Sequence, residues 1–144
     1  MVMVRRETLA YLLIGEDNNS KDIQIKKFKE RFLKKETEDF NLDLLYSEGL
    51  TLKYLQERLL SLPVRSEKRL VIIKNCSGLE DEIKEFLVQY LKAPYPKNVL
   101  ILDINKYNSR DKFLSRLFGN AQVIRFAETR QPNTFDLAVQ IGFK

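Results

Sequence analysis

Short, nearly unbroken apolar runs alternate with segments of helical periodicity along most of this chain. Such runs, with β-branched side chains and polar boundaries, predict strands. Runs with few polar positions are typical of strands that are buried on both faces, as in a parallel sheet. The predicted strands are Tyr11–Ile14, Leu70–Ile73, Val99–Leu102 and Val123–Phe126, with a weaker, partly alternating run at Phe40–Tyr46. The alternation in the weaker run predicts an edge strand with one face nearer to water.

The segments between the strands have apolar residues three and four positions apart, which predicts amphipathic helices. The first helix is predicted to begin near Ser20. Thr51 and Ser109 are predicted N-caps of the second and fourth helices, and Pro132 suits the first turn of a fifth. The predicted apolar stripes are Ile25, Phe28 and Phe32; Leu52, Leu55, Leu59 and Leu62; Ile83, Phe86, Leu87, Tyr90 and Leu91; Phe113, Leu114, Leu117 and Phe118; and Phe135, Ala138 and Val139.

The order of these elements, strand and helix in regular alternation, predicts an α/β fold. Parallel strands require crossover connections, and helices in those connections cover both faces of the sheet. We therefore expect a three-layer α/β/α sandwich with a mainly parallel five-stranded sheet. In such sheets, functional residues usually follow the carboxyl ends of the strands.

The composition excludes several classes of enzyme. The chain of 144 residues is long enough for one domain with its own core. It contains no histidine, which excludes a Ser-His-Asp triad and a His-ligated zinc site. A single cysteine, Cys76, excludes an internal disulfide and any site made of several thiolates. The sequence has no apolar stretch of membrane-spanning length and no secretory signal, so we expect a cytoplasmic protein. We also expect it to bind no metal and no cofactor.

The turn after the first predicted strand has the frame of a phosphate-binding loop but lacks two of its residues. In the working motif, G-x-x-x-x-G-K-[ST], the second glycine allows close backbone approach and the hydroxyl binds magnesium. Gly15 and Lys21 are in register with that motif. Ser20 replaces the second glycine, and Asp22 replaces the hydroxyl residue. The sequence also fits a simple capped turn, and in either case nucleotide hydrolysis here is not expected.

The strand that would supply the acids of a P-loop ATPase is also degenerate. Lys74 and Asn75 follow Leu70–Ile73 where an ATPase needs Asp and Glu to hold magnesium and orient water. The same two residues exclude a receiver domain, which needs a phospho-accepting Asp there. Asp103 ends another predicted strand, but Ile104 follows it and leaves no catalytic Glu. Two matching defects indicate a domain that kept a nucleotide-binding fold and lost the reaction.

Four apolar residues, Leu60, Leu62, Pro63 and Val64, lie where the second predicted helix gives way to the third strand. Pro63 is expected to end that helix, since the residue before proline is disfavoured in helical conformation. Two interpretations stay open. In one, Leu62 completes the helix stripe and Val64 packs beneath the loop. In the other, these residues are an apolar wedge that enters a pocket of a partner.

Four segments of the chain together have the pattern of a known family. They are Tyr11–Asp17, Phe40–Asp43, Leu60–Lys74 and Asn98–Leu102. The pattern resembles the amino-terminal domain of the delta subunit of bacterial DNA polymerase III, over about residues 9–126, and the stretch Leu62–Lys74 is its most specific part. The resemblance implies a P-loop NTPase or AAA+-like fold that binds no nucleotide.

The resemblance also implies a function and partners. Family members are clamp-loader subunits without activity of their own, and they belong to the DNA polymerase III holoenzyme. They bind the ring-shaped sliding clamp, the beta subunit, and help to open it during DNA replication. The wedge that enters the clamp corresponds here to Leu60, Leu62, Pro63 and Val64. Other clamp-loader subunits are implied partners of the full-length protein, and contact with DNA is implied to be weak or indirect.

Full family members continue into a helical lid and a collar. We therefore expect residues 1–144 to be a single AAA+-like domain, in which residues 127–144 begin a lid that is otherwise missing. Two alternatives remain. One is a P-loop-type domain with weak residual ATP binding through Lys21 and Asp103. The other is a basic α/β nucleic-acid-binding module, which a net charge of +5 permits but which scattered basic residues do not favour.

Overall fold

Five parallel strands form one sheet in the computed structural model, which describes residues 7–108 and 110–126. The strands are β1 (Ala10–Ile14), β2 (Leu42–Tyr46), β3 (Arg69–Lys74), β4 (Asn98–Ile104) and β5 (Gln122–Arg125). Their order across the sheet is β2-β3-β4-β1-β5, and every neighbouring pair is parallel. The predicted mainly parallel five-stranded sheet is therefore confirmed, and β2 lies at an edge as its alternating pattern predicted.

Helices connect the strands and cover both faces of the sheet. They are α1 (Asn18–Phe32), α2 (Glu38–Asn41), α3 (Leu52–Leu59), α4 (Asp81–Tyr90) and α5 (Lys112–Leu117), with short 3₁₀ turns at Lys35–Thr37, Cys76–Gly78 and Phe118–Asn120. Alternate residues of a strand point to opposite faces, so Leu12 packs with α3, α4 and α5 while Leu13 packs with α1. This arrangement is the predicted three-layer α/β/α sandwich.

Two helix starts differ from the prediction because aspartates act as the caps. The carboxylate of Asp17 accepts the backbone N–H of Ser20, and α1 therefore begins at Asn18 rather than near Ser20. The carboxylate of Asp111 accepts the N–H groups of Phe113 and Leu114, so Asp111 and not Ser109 caps α5. Thr51 caps α3 as predicted, through the N–H of Tyr54.

The second strand is shorter than its apolar run. The run Phe40–Tyr46 predicted a strand, but its first two residues belong to α2 and the strand begins at Leu42. Phe40 is consequently exposed on the surface. Leu44 and Tyr46 are also exposed, which confirms the prediction that one face of this edge strand is nearer to water.

The helix α3 ends earlier than its apolar stripe predicted. Its last helical residue is Leu59, four positions before Pro63, and Leu62 lies outside the helix with 69% of its surface exposed. The prediction that Leu62 completes the buried stripe is therefore wrong. The end of α3 ahead of Pro63 agrees with the prediction that this proline ends the helix, because Pro63 has no N–H to donate to the carbonyl oxygen of Leu59.

Several predictions fall on residues outside those that the structure describes. These are the fifth helix from Pro132 through Phe135, Ala138 and Val139, the lid at residues 127–144, and the position of Ser109 itself. Within the described ranges, no helix has both the length and the apolar character that crossing a membrane requires.

Gly15 is the position where the backbone most clearly requires glycine, which leads to the first prediction. Its φ is +141°, and a Cβ built there would lie 2.7 Å from the carbonyl oxygen of Phe126. We expect Gly15→Ala to lower the free energy of unfolding by roughly 2–4 kcal/mol, measured by urea denaturation. Gly119→Ala is the matched control, because no atom lies within 4 Å of its added Cβ. Equal losses in the two variants would contradict the assigned strain.

Candidate functional site

Lys21, the lysine of the predicted phosphate loop, is buried, and its ammonium group is surrounded by protein oxygens. Lys21 is in the first turn of α1, and none of its surface is exposed. Its Nζ lies 2.7 Å from Asp103 Oδ1, 3.1 Å from the carbonyl oxygen of Ile104 and 3.3 Å from Asn105 Oδ1. The contacts with Ile104 and Asn105 are hydrogen bonds, and the contact with Asp103 is a close ion pair. The ammonium would have to leave these oxygens in order to bind a phosphate.

A carboxylate occupies the helix end where a phosphate would bind. Asp17 accepts the backbone N–H of Ser20 at 3.1 Å and its hydroxyl at 2.7 Å. The hydrogen bond from the hydroxyl is the main cause that lowers the pKa of Asp17, and the bond from the backbone N–H lowers it further. The negative charge of Asp17 therefore satisfies the amino terminus of α1 in place of an external anion.

The degenerate acid site contains cations where a metal ion would be expected. Lys74 Nζ is 3.7 Å from Asp103 Oδ2, on the side away from Lys21. Asn75 adopts a left-handed backbone conformation, φ +58°, and its N–H is 3.5 Å from the same carboxylate. Among the described residues, no cluster of three or more His, Cys, Asp or Glu side chains could hold a metal ion.

Two other sequence candidates at this edge have no evident chemical role. Cys76 is buried, and burial raises the pKa of its thiol, which opposes formation of the nucleophilic thiolate. Asp22 is exposed and lines a shallow polar depression together with Asn18, Tyr46 and Lys74. The carboxyl edge of the sheet thus brings the residues of the phosphate loop and the acid site together, as predicted, but in a closed ion-pair network.

The opposite, amino edge of the sheet shapes the segment between α3 and β3. Arg69 and Asn98 are the first residues of β3 and β4, and both are buried. Arg69 Nη1 donates to the carbonyl oxygen of Arg58 at 2.9 Å. Asn98 Nδ2 donates to the carbonyl oxygens of Leu59 and Ser61. These donors satisfy carbonyl groups at and just after the end of α3, where Pro63 has no N–H to offer the carbonyl oxygen of Leu59.

The guanidinium of Arg69 is itself held by a carboxylate. Asp43, on β2, accepts a hydrogen bond from Arg69 Nη2 and another from Arg58 Nε at 2.9 Å. Arg69 Nη1 also contacts Asn98 Oδ1 at 3.3 Å. A buried cation is tolerated only when its donors are paired, and this network pairs the guanidinium with three different elements.

Beyond these anchors, the chain presents apolar side chains to solvent. We call Leu60, Leu62, Pro63 and Val64 the apolar tip. The exposed fractions of Leu60, Leu62 and Val64 are 62%, 69% and 43%, and Pro63 is partly buried. Arg65 follows with φ +51°, a conformation that a residue with a Cβ rarely adopts. Of the two interpretations left open by the sequence, the buried one is therefore wrong for Leu62 and Val64.

Sequence reasoning missed the buried polar residues that shape the apolar tip. Arg69 and Asn98 each stand immediately before an apolar run, whereas Asn41 lies within the run Phe40–Tyr46. A polar residue at the start of a buried strand must find partners, so the position of Arg69 and Asn98 was an available signal. Their partners are carbonyl groups distant in sequence, and those were not visible in any local pattern.

The sheet order, the helices on both faces and the position of Lys21 after β1 define an AAA+-like α/β domain. The model of the family "DNA polymerase III, delta subunit" matches residues 11–127. The chain therefore belongs to the DNA polymerase III delta subunit family.

Individual relatives agree with this membership. The chain is 26% identical to the DNA polymerase III subunit delta of Bacillus subtilis over 142 aligned positions, and the match covers 92% of this chain and 41% of the relative. The structure of a Bacillus subtilis DNA clamp loader delta protein matches with a TM-score of 0.73 and 25% identity, covering 83% of this chain and 38% of that one. The chain thus spans about two fifths of the length of these relatives.

A more distant structure shows the fold alone. A DNA polymerase III gamma subunit-related protein of Thermotoga maritima matches with a TM-score of 0.62 at 14% identity, and the match covers 90% of this chain and 43% of that one. Similarity at this level supports the AAA+-like architecture and says nothing about shared chemistry.

The buried ion pair at the carboxyl edge gives the second prediction. Lys21→Met leaves Asp103 buried without its closest cation, so we expect the free energy of unfolding to fall by about 3–5 kcal/mol in urea denaturation. The double variant Lys21→Met, Asp103→Leu removes both charges and should lose less. Arg116→Met breaks the exposed pair with Glu85 and should change the free energy of unfolding little, because solvent screens that pair. A loss for Lys21→Met no larger than this control would contradict the assigned role.

Proposed function

We propose that this chain is the clamp-binding domain of a clamp-loader subunit, which acts without chemistry of its own. In this proposal it grips the sliding clamp and helps to open the ring during DNA replication. Membership of the delta subunit family supports the replication role. The single observation that supports the grip is the exposed apolar tip, because three aliphatic side chains lie in solvent on a loop whose base is hydrogen-bonded.

The size of the apolar tip suits a reversible grip. Burying each of its aliphatic side chains in a pocket contributes about 1.5–3 kcal/mol. The loss of translational and rotational freedom on association offsets much of this sum. A loader must release its clamp after loading, and a contact of this size permits release. The clamp would open because the domain binds the open ring more tightly than the closed one.

The closed ion-pair network at the carboxyl edge supports the absence of ATP chemistry in this domain. A nucleotide phosphate would have to displace Asp103 from Lys21 and then face the carboxylate of Asp17. In the proposal, ATP acts in other subunits of the loader, which expose or hide the apolar tip. Saturable binding of MgATP to the chain would instead favour the alternative of a residual nucleotide site.

The third prediction tests the grip by surface plasmon resonance on the immobilised sliding clamp of the same organism. We expect saturable binding of the chain, and at least about a hundredfold loss for Leu62→Ser, Val64→Ser, since two buried anchors are removed. The matched control is Ile23→Ser, Leu44→Ser, which removes two aliphatic side chains that are exposed elsewhere. The control should bind like the wild type.

Two outcomes would contradict this prediction. If the folded wild-type chain does not bind the clamp, the proposed grip is wrong. If both double variants lose affinity equally, the apolar tip is not the contact. Circular dichroism of each variant would verify that the comparison is between folded proteins.

A second candidate function, nucleic-acid binding, is favoured by where the net charge lies. The whole chain has 25 basic and 20 acidic residues, and residues 26–35 contain six of the basic and one of the acidic ones. The rest of the chain therefore has 19 of each and is neutral. Lys26, Lys27, Arg31, Lys34 and Lys35 are exposed on α1 and just after it. In the described ranges, none of the six basic residues has a carboxylate within 4.0 Å.

This concentration of charge changes the interpretation of the sequence, in which basic residues looked scattered. A basic helix face attracts the phosphates of a nucleic acid through counterion release, which makes the affinity depend steeply on salt. The candidate is compatible with clamp binding, because α1 and the apolar tip involve different residues of the chain.

The fourth prediction compares two variants with the same net charge, using fluorescence anisotropy with a labelled DNA duplex at several salt concentrations. Lys26→Gln, Lys27→Gln, Lys34→Gln should weaken binding at least about tenfold and flatten the salt dependence by roughly three units of slope. Lys53→Gln, Lys92→Gln, Lys97→Gln changes three exposed lysines elsewhere and should have little effect. Equal weakening in both variants would mean that only total charge matters, which would contradict a site on α1.

A further inference from the structure

The side chain of Asn41 forms hydrogen bonds both to its own helix region and to a residue that is distant in the sequence. It is the last residue of α2, and its side chain is completely buried. Nδ2 donates to the carbonyl oxygen of Thr37 at 3.0 Å and contacts Thr37 Oγ1 at 3.3 Å, both one helical turn back. These local contacts join the two ends of the short helix α2. The remaining bonds reach across 23 residues to Val64 in the apolar tip.

The contact with Val64 is reciprocal. Asn41 Nδ2 donates to the carbonyl oxygen of Val64 at 2.8 Å, and the backbone N–H of Val64 donates to Asn41 Oδ1 at 2.7 Å. One side-chain amide thus satisfies both backbone polar groups of one residue, as a neighbouring strand would. Such a pair fixes both the position and the orientation of the peptide groups at Val64.

The apolar tip is therefore held at both of its ends. At the start, Asn98 binds the carbonyl oxygens of Leu59 and Ser61. At the end, Asn41 binds Val64. Leu62 and Pro63 lie between these anchors. Pro63 has no N–H and a restricted φ, so a loop of this length fixed at both ends has few conformations left.

The backbone immediately after Val64 also depends on this anchor. Arg65 has φ +51°, a conformation that non-glycine residues keep only where the surroundings impose it. The side chain of Arg65 is exposed, so its own packing does not impose that conformation. The preceding residue is held on both backbone groups by Asn41, which fixes the peptide group on the amino side of Arg65.

We propose that Asn41 is a positioning residue that holds the apolar tip in the conformation in which it binds the clamp. This inference rests on the proposed function of the tip. Without the anchor, the loop would divide its population among several conformations, and the measured affinity would fall by the fraction that remains competent. Asn41 would then contribute to binding by pre-organisation, although its side chain is buried and is not part of the exposed tip.

The fifth prediction uses Asn41→Ala in the full 144-residue chain, with clamp affinity measured by surface plasmon resonance. Loss of the two bonds to Val64 should weaken binding about tenfold, mostly through slower association, because fewer free molecules have the competent conformation. Thr37→Val is the matched control, because it removes only the hydroxyl partner of Asn41 and leaves the bonds to Val64 in place. Its affinity should equal that of the wild type.

Two further measurements separate positioning from a general loss of stability. Amide hydrogen exchange should show faster exchange of the Val64 N–H in Asn41→Ala but not in Thr37→Val. In a Leu62→Ala background, one side chain proposed to contact the clamp is already truncated. There Asn41→Ala should have a much smaller effect on affinity than in the wild type. Such non-additivity is expected only if Asn41 acts through the tip.

The outcomes distinguish this inference from the proposed function. If the wild type does not bind the clamp, both fail. If the wild type binds, Leu62→Ser, Val64→Ser does not, and folded Asn41→Ala binds as tightly as the wild type, then only the inference on Asn41 fails. If Asn41→Ala does not fold, Asn41→Asp provides the same test, since it keeps the acceptor for the Val64 N–H and loses the donor to its carbonyl group. Full affinity of that variant, with unchanged exchange at Val64, would overturn the inference.

Discussion

The guanidinium of Arg69 is buried at the start of β3, and a buried guanidinium needs acceptors for its donors. It finds them on Asp43 of β2, on Asn98 of β4 and on the carbonyl oxygen of Arg58 at the end of α3. Pro63 has no N–H with which to continue α3 past Leu59, and Arg69 and Asn98 instead bind the carbonyl oxygens of Arg58 and Leu59. The residues that follow are then released from the core and form the exposed apolar tip. The hydrogen-bonded guanidinium of Arg69 thus connects β2, β3 and β4 with the end of α3, where the proposed contact surface begins.

A second buried cation, Lys21, lies at the carboxyl edge of the same sheet and is also paired with protein groups. There the ammonium of Lys21 is paired with Asp103 and donates hydrogen bonds to Ile104 and Asn105, so protein oxygens surround it in place of an external ligand. An AAA+-like domain ordinarily binds nucleotide at this edge, whereas here the edge is closed by protein groups. The two edges therefore differ in what they offer a partner: polar groups paired with one another on one side, and unpaired apolar surface on the other.

The sequence predicted the fold well, because buried parallel strands are visible as continuous apolar runs at β1, β3 and β4. It also predicted the turn between the first strand and the first helix, since the polar residues from Gly15 to Asp22 are a local signal. Element ends were less predictable. The carbonyl groups at the end of α3 are bound by Arg69 and Asn98, which lie ten or more residues away in sequence and leave no sign in the helical periodicity that included Leu62. The anchoring of Val64 by Asn41 is likewise a tertiary contact without a local pattern.

The central claim is that the partner contacts the amino edge of the sheet, at the apolar tip, and leaves the carboxyl edge free. Hydrogen–deuterium exchange of the chain with and without the sliding clamp, read by mass spectrometry, tests this claim directly. We predict slower exchange on clamp binding in peptides that cover residues 59–66 and no change in those that cover residues 15–22. Protection at residues 15–22 and 103–108, with none at residues 59–66, would contradict the account.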